Sequence, residues 1–144
     1  MEPRMGFNSP EDLEPETNRE LERSFEKAVF PGVLVGNWVN VNPGTRGIVK
    51  LSIGTAAGPT TTVHLYGACT PTPCDWGSVK GVSYSSEVAS PRAMAFTALY
   101  SFAFKDAIVT GHLEGQLLVV EVYNRFKDAS GRSDYFDKET FHRA

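Results

Sequence analysis

Both cysteines of this chain sit in one short connection, Gly67-Ala68-Cys69-Thr70-Pro71-Thr72-Pro73-Cys74-Asp75-Trp76-Gly77, beside one of its two tryptophans. Four chemistries are open to this pair. A disulfide would staple the loop, in a ring small enough to limit the entropic gain. Two reduced thiols would pack as small apolar groups. Structural zinc takes four Cys or His ligands, and with no second Cys pair no metal is expected. A redox pair usually has Cys-x-x-Cys spacing within a βαβ unit, which this run lacks. Clustering of the two residues favours the bridge, whereas the absence of a visible leader favours reduced thiols.

The acid–base candidates lie close by. Asp75 precedes Trp76, and an apolar setting would raise its pKa toward that of a general acid or base. The plainer reading has Asp75 bonding backbone N–H groups to fix a turn. His64 and Tyr66 are two residues apart in an alternating segment, so they share a face opposite Val63 and Leu65. Alternation alone leaves open which face points inward. Phosphate-binding Gly-rich loops, a Gly-x-Ser-x-Gly elbow and a His-Glu-x-x-His motif are all absent, so no cofactor is expected.

These residues need a scaffold, and the alternation supplies one. At 144 residues the chain can bury a core without staples. Residues 1–29 carry eight acids and four bases; the rest is near neutral, with nine acids and ten bases. A near-neutral body argues against nucleic acid, which demands a concentrated basic face. No run of eighteen apolar residues spans a membrane. No signal peptide is visible, and the expected location is cytoplasmic.

Ser9-Pro10 opens one helical turn, and Thr17-Asn18-Arg19-Glu20 is a capping box. Leu21, Phe25, Ala28 and Val29 then share a helical face, which predicts an amphipathic helix over 17–29 ended by Pro31-Gly32. Residues 1–32 form the extension, and 33–144 the main domain. From there the period is two. It predicts strands over 35–41, 47–53, 60–68, 76–85, 94–104, 107–113, 116–126 and 133–142. Asn42-Pro43-Gly44-Thr45 has the residues of a type II turn, Lys105-Asp106 turns the chain, and Glu114-Gly115 marks a tight hairpin. Consecutive hairpins predict an all-β fold, an eight-stranded antiparallel meander closed into a barrel, with the helix as an N-terminal extension. A Greek-key sandwich is the competing fold, and only residues 86–93 could supply its crossover.

Two resemblances attach to particular residues. Gly36-Asn37-Trp38 at the start of the first strand resembles the Gly-x-Trp opening of the calycins, the lipocalin and avidin-like barrels. That resemblance implies a ligand in the mouth of an eight-stranded barrel and carries no catalytic residue. A second set resembles an uncharacterised bacterial domain that occurs alone or as a module. It comprises Trp38-Val39-Asn40, Thr45-Arg46-Gly47-Ile48, the segment 63–69, Pro71, Cys74-Asp75-Trp76-Gly77, 123–128 and 130–135. This likeness covers about residues 35–143, implies one compact module and supplies no substrate.

The function expected is a barrel binding a small hydrophobic molecule. Trp38, Tyr66, Trp76 and Tyr100 are its candidate apolar lining; Asn40, His64 and Arg125 are its candidate polar contacts. Phe96, Tyr100, Phe102 and Phe104 form an aromatic stripe for the core or a pocket wall. Arg125 with Glu121, and Asp137 with Glu139, read as outer-face ion-pair partners. Two alternatives stand beside this. One is a cofactor-independent cyclase or isomerase acting through Asp75, His64 and Tyr66. The other is a protein-interaction or homo-oligomerisation module.

Overall fold

The computed structural model describes residues 29–56 and 60–144. Thr17–Ala28 and the Ser9-Pro10 turn lie outside the described residues. The described chain opens with a 3₁₀ turn, Gly32–Leu34, where the sequence ends its predicted helix.

Eight strands follow: β1 Gly36–Asn40, β2 Ile48–Thr55, β3 Thr61–Gly67, β4 Cys74–Ser85, β5 Ala93–Ser101, β6 Lys105–Glu114, β7 Leu117–Phe126 and β8 Tyr135–Arg143. Each pairs antiparallel with the next, and β8 returns to β1, which closes the barrel. The closing ladder pairs Trp38 with Arg143 and Asn40 with Phe141. Closure removes sheet edges, so every strand has two neighbours to satisfy its backbone. Among the described residues no helix is long and apolar enough to cross a membrane.

Alternation sorts each strand into an inner and an outer set. Thr61, Val63, Leu65 and Gly67 of β3 point inward; His64 and Tyr66 are outside. Leu118, Val120, Val122 and Asn124 line the inner face of β7, which puts Arg125 outside. A bulge between Ile48 and Lys50 lets Ile48 join Leu51 and Ile53 in the core despite the odd spacing.

Two turns differ from expectation. Lys105 is the first residue of β6, not a turn residue; the turn lies at Ala103–Phe104, where Phe102 N–H bonds to Lys105 O at 2.8 Å. The phase of Lys105, Ala107 and Val109 then carries the lysine inward. The Asn42–Thr45 turn forms, with Thr45 N–H on Asn42 O at 3.2 Å, but Gly44 keeps a negative-side φ and the turn is not type II. At the β6–β7 hairpin Gly115 supplies the expected positive φ of 61°.

The two barrel ends are unlike. At one end Leu34 and Trp38 form a plug, and the indole N–H of Trp38 donates to Leu34 O at 2.9 Å. The Arg143 guanidinium lies 4.3 Å over the Trp38 ring and bonds Val33 O and Val35 O, tying the 3₁₀ turn to the last strand. Gly36 sits under that guanidinium with φ 144°, where a Cβ would stand 2.7 Å from Arg143 Nη1. At the opposite end the β1–β2, β3–β4, β5–β6 and β7–β8 connections surround a mouth.

Candidate functional site

The mouth opens into a cavity of ≈ 390 Å³. Its wall comes from all four connections and the strand ends that carry them: Arg46 to Ile48, the Cys69 and Cys74 corner, Trp76, Phe102 to Lys105, Asn124, Tyr135 and Asp137.

An aromatic chain lines one side. Trp76 meets Tyr100 and Phe102 edge-on at 5.4 and 5.5 Å. Stacking continues from Tyr100 through Phe102 to Phe104, then to Phe126 and Tyr135. Arg132 folds back from the β7–β8 loop over Phe126 at 4.2 Å, held by Asp128 and Ser130.

The polar groups are few and specifically placed. Lys105 is 8% exposed; its amine donates to Asn124 Oδ1 at 2.8 Å and lies 4.4 Å over the Trp76 ring. Burial, and then the Arg132 guanidinium, push this amine below the ordinary lysine value. Across the mouth, Asp137 and Glu139 also point inward, because β8 shares its inner face with Phe141. Glu139 is already engaged: it accepts from the Thr45 hydroxyl and from Ile48 N–H at 3.2 Å, which clamps the β1–β2 loop. Gly47 makes room for both carboxylates, since a Cβ there would collide with Asp137 Oδ2 and stand 2.7 Å from Glu139 Oε2. The two acids therefore do not form the outer-face ion pairs expected of them.

Floor and corner are structural. Gly77, at φ 83°, breaks the β3–β4 register opposite Leu65, and the ladder bonds there are lost. The Tyr100 hydroxyl replaces them. It accepts from Leu65 N–H at 3.2 Å and faces Val63 O at 3.0 Å and Gly77 O at 2.8 Å as acceptors for its proton. Burial pushes this phenol up to about 12. Cys69 and Cys74 are joined as a disulfide, with Cα atoms 5.4 Å apart, on the lip of the cavity. Opening that six-residue ring with Cys69→Ser and Cys74→Ser is expected to cost about 2 kcal/mol on the chain-entropy model. Urea unfolding should show a lower midpoint at unchanged slope.

Of the residues singled out in the sequence, Asp75 and Trp76 line the cavity with the Cys69 and Cys74 corner, and Tyr100 lies beneath it. Trp38 plugs the far end, 1% exposed, and lines no part of the mouth. Asn40 is buried and spent on backbone, donating to Ile48 O and accepting from Asn42 N–H. His64, Tyr66 and Arg125 stand on the outer wall, because their strands present the alternate set to the core.

His64, Tyr66 and Asp75 do come together, with His64 and Tyr66 on the outer wall and Asp75 at the lip of the cavity. His64 Nε2 and Asp75 Oδ1 are 2.5 Å apart, His64 and Tyr66 stack at 4.5 Å, and Lys50 caps the Tyr66 ring. Gly77 N–H, and then His64, hold the Asp75 carboxyl below its usual range. Its turn-fixing role is thus the one the geometry displays.

Lys105, Asn124, Tyr135 and Asp137 were missed as site residues. Phase could have found Asn124, a polar residue in step with Val120 and Val122. Lys105 was hidden by an aromatic stripe that reads through the turn. Among the described residues no group of three His, Cys, Asp or Glu side chains gathers to hold a metal. No family model, curated protein or solved structure matches this chain.

A wider groove of ≈ 680 Å³ runs over the outer wall. Leu99, Ile108, Tyr123 and Phe136 are direct cross-strand neighbours there, one on each of β5 to β8, and all four are exposed.

Proposed function

We propose that this protein is a small-molecule-binding β-barrel of calycin-like architecture, taking a ligand with an apolar body into the mouth. The cavity carries the reading: its ≈ 390 Å³ falls in the range of ligand sites, and its wall is mostly apolar, with four aromatic rings and a few converging polar groups. The plug formed by Trp38 of the Gly36-Asn37-Trp38 opening supports it by leaving one end open. His64 and Tyr66 turn away from that cavity, so the cyclase or isomerase reading gains no support from them. The Cys69–Cys74 bridge supports an oxidising location rather than the cytoplasm.

A second reading, an interaction or self-association surface, is favoured by the apolar row from Leu99 to Phe136. One titration separates the two. The probe is 1-anilinonaphthalene-8-sulfonate, followed by its own emission on direct excitation. One saturable site is expected, weakened about tenfold by Trp76→Ala, equivalent to about 1.4 kcal/mol, and unchanged by Leu99→Lys. Loss of the site with Leu99→Lys, and its survival in Trp76→Ala, would move binding to the outer wall and overturn the mouth reading.

A further inference from the structure

Lysine is almost never buried without a charged partner. Lys105 is 92% removed from solvent, yet among the described residues no carboxylate lies within 4.0 Å of its amine. Its contacts are the Asn124 amide oxygen, the face of Trp76 and, at 5.7 Å, the ring of Phe104. The Trp76 face compensates an ammonium in part, but neither it nor the amide carries a formal charge. A methionine would fill the same space with less desolvation cost. The amine also faces the cavity, rather than closing it, since Lys105, Trp76, Asn124 and Phe104 line that space together.

From this placement we propose that Lys105 is a reactive amine that captures an aldehyde or ketone ligand with an apolar body as a reversible imine. The proposal rests on the mouth cavity being the ligand site. Two conditions that make a lysine nucleophilic meet here: desolvation in an aromatic pocket, and a neighbouring cation, Arg132. The other charged groups around the mouth are Arg46 on the β1–β2 loop, Asp75 on β4, and Asp137 and Glu139 on β8. They sum to a net of −2, which Arg132 offsets to −1, and none of the three carboxylates comes within 4.0 Å of the amine to hold it protonated as a direct ion pair. Asn124 Oδ1 accepts from a neutral amine as well as from an ammonium, and so fixes Nζ while its lone pair stays free.

The chemistry needs no redox partner. The Nζ lone pair adds to the carbonyl carbon, and the C=O π electrons move to oxygen, which takes a proton to give a carbinolamine. Loss of the hydroxyl group and of the remaining proton on nitrogen releases one water and leaves the C=N bond. Hydrolysis reverses each step and returns the free amine. The aromatic chain from Trp76 to Tyr135 would hold the apolar body during this exchange.

The test uses the whole chain with 2-naphthaldehyde and sodium cyanoborohydride near pH 7.5, read by peptide mass mapping. Lys105 should be alkylated at least about tenfold faster than exposed Lys80 or Lys138, because a desolvated amine beside a cation is more often unprotonated than one in water. In parallel, 2-naphthylmethanol, which has the same body and no carbonyl, should bind and quench Trp76. Lys105→Met should abolish the fast labelling and keep binding the alcohol, which also shows that the barrel has folded; Asn124→Ala, which frees the amine from its anchor, should slow labelling. Alcohol binding without preferential labelling of Lys105 overturns the proposal alone. No binding of the alcohol to the native chain overturns the cavity reading, and the proposal with it.

Discussion

Trp38→Ala is expected to lower the free energy of unfolding by about 3–5 kcal/mol, the usual range for emptying a buried tryptophan site. The side chain is 1% exposed. Three connections end on it. Its indole N–H holds Leu34 O of the 3₁₀ turn, its ring supports the Arg143 guanidinium, and its backbone pairs with both β2 and β8. Removing the ring leaves a cavity beneath the plug and a guanidinium without its platform. Leu34 O would keep a partner only if water entered. Chemical denaturation should show the loss as a lower midpoint. A shift below about 1 kcal/mol would mean that the plug is held by the 3₁₀ turn and Arg143 without the indole. The contrast with Trp76→Ala is informative: that residue lines an open cavity, so its truncation should damage binding more than folding.

Tyr100→Phe removes a single oxygen and is expected to cost about 2–3 kcal/mol. At most positions a buried phenol makes one bond. Here the hydroxyl stands in for the ladder bonds that the β3–β4 bulge gives up, serving Leu65 N–H, Val63 O and Gly77 O. Phenylalanine would fill the same volume and leave a buried donor and two acceptors without it. A second readout isolates the hydroxyl. Folding raises the Tyr100 phenol from its usual 10.0 to about 12, so the fold prefers the neutral form. That contribution is complete below pH 10 and is lost as pH climbs from about 10 to about 12. The native protein should lose stability across that window by a step that Tyr100→Phe lacks. Equal alkaline behaviour of the two proteins would show that the hydroxyl is not buried as described.

The same residue shows how far local pattern reaches. Tyr100 is legible as an inward aromatic because it is in step with Phe96 and Ala98. That its oxygen repairs a bulge on the far side of two strands is not legible, since the partners lie 23 to 37 residues away in sequence. His64, Tyr66 and Asp75 are a similar case. Their adjacency follows from the β3–β4 hairpin, in which Tyr66 pairs with Asp75. The exclusion of His64 and Tyr66 from the cavity follows from the barrel, which needs Val63 and Leu65 inside to fill its core, while Asp75 stays on the cavity lip. Asp137 and Glu139 invert the argument. Two acids on one strand face look like an exposed face; alternation puts Phe141 in step with them, and the pairing of β8 with β1 shows that this shared face is the inner one. Lys105 was obscured by one residue of turn placement, because Phe102 and Phe104 continue the alternation of β5 although the strand ends at Ser101.

Alternation and turn residues by themselves determined the eight strands, their order along the chain and the two side-chain sets that each displays. Those properties follow from backbone geometry within a few residues. Closure decided the rest. Once β1 pairs with β8, more than a hundred residues apart at Trp38 and Arg143, one set on every strand must face the core. The same closure makes one end a plug and the other a mouth, and brings Lys105, Asn124 and Asp137 from β6, β7 and β8 into one cavity with Trp76. No local pattern encodes that convergence, because it depends on where the ring of strands ends.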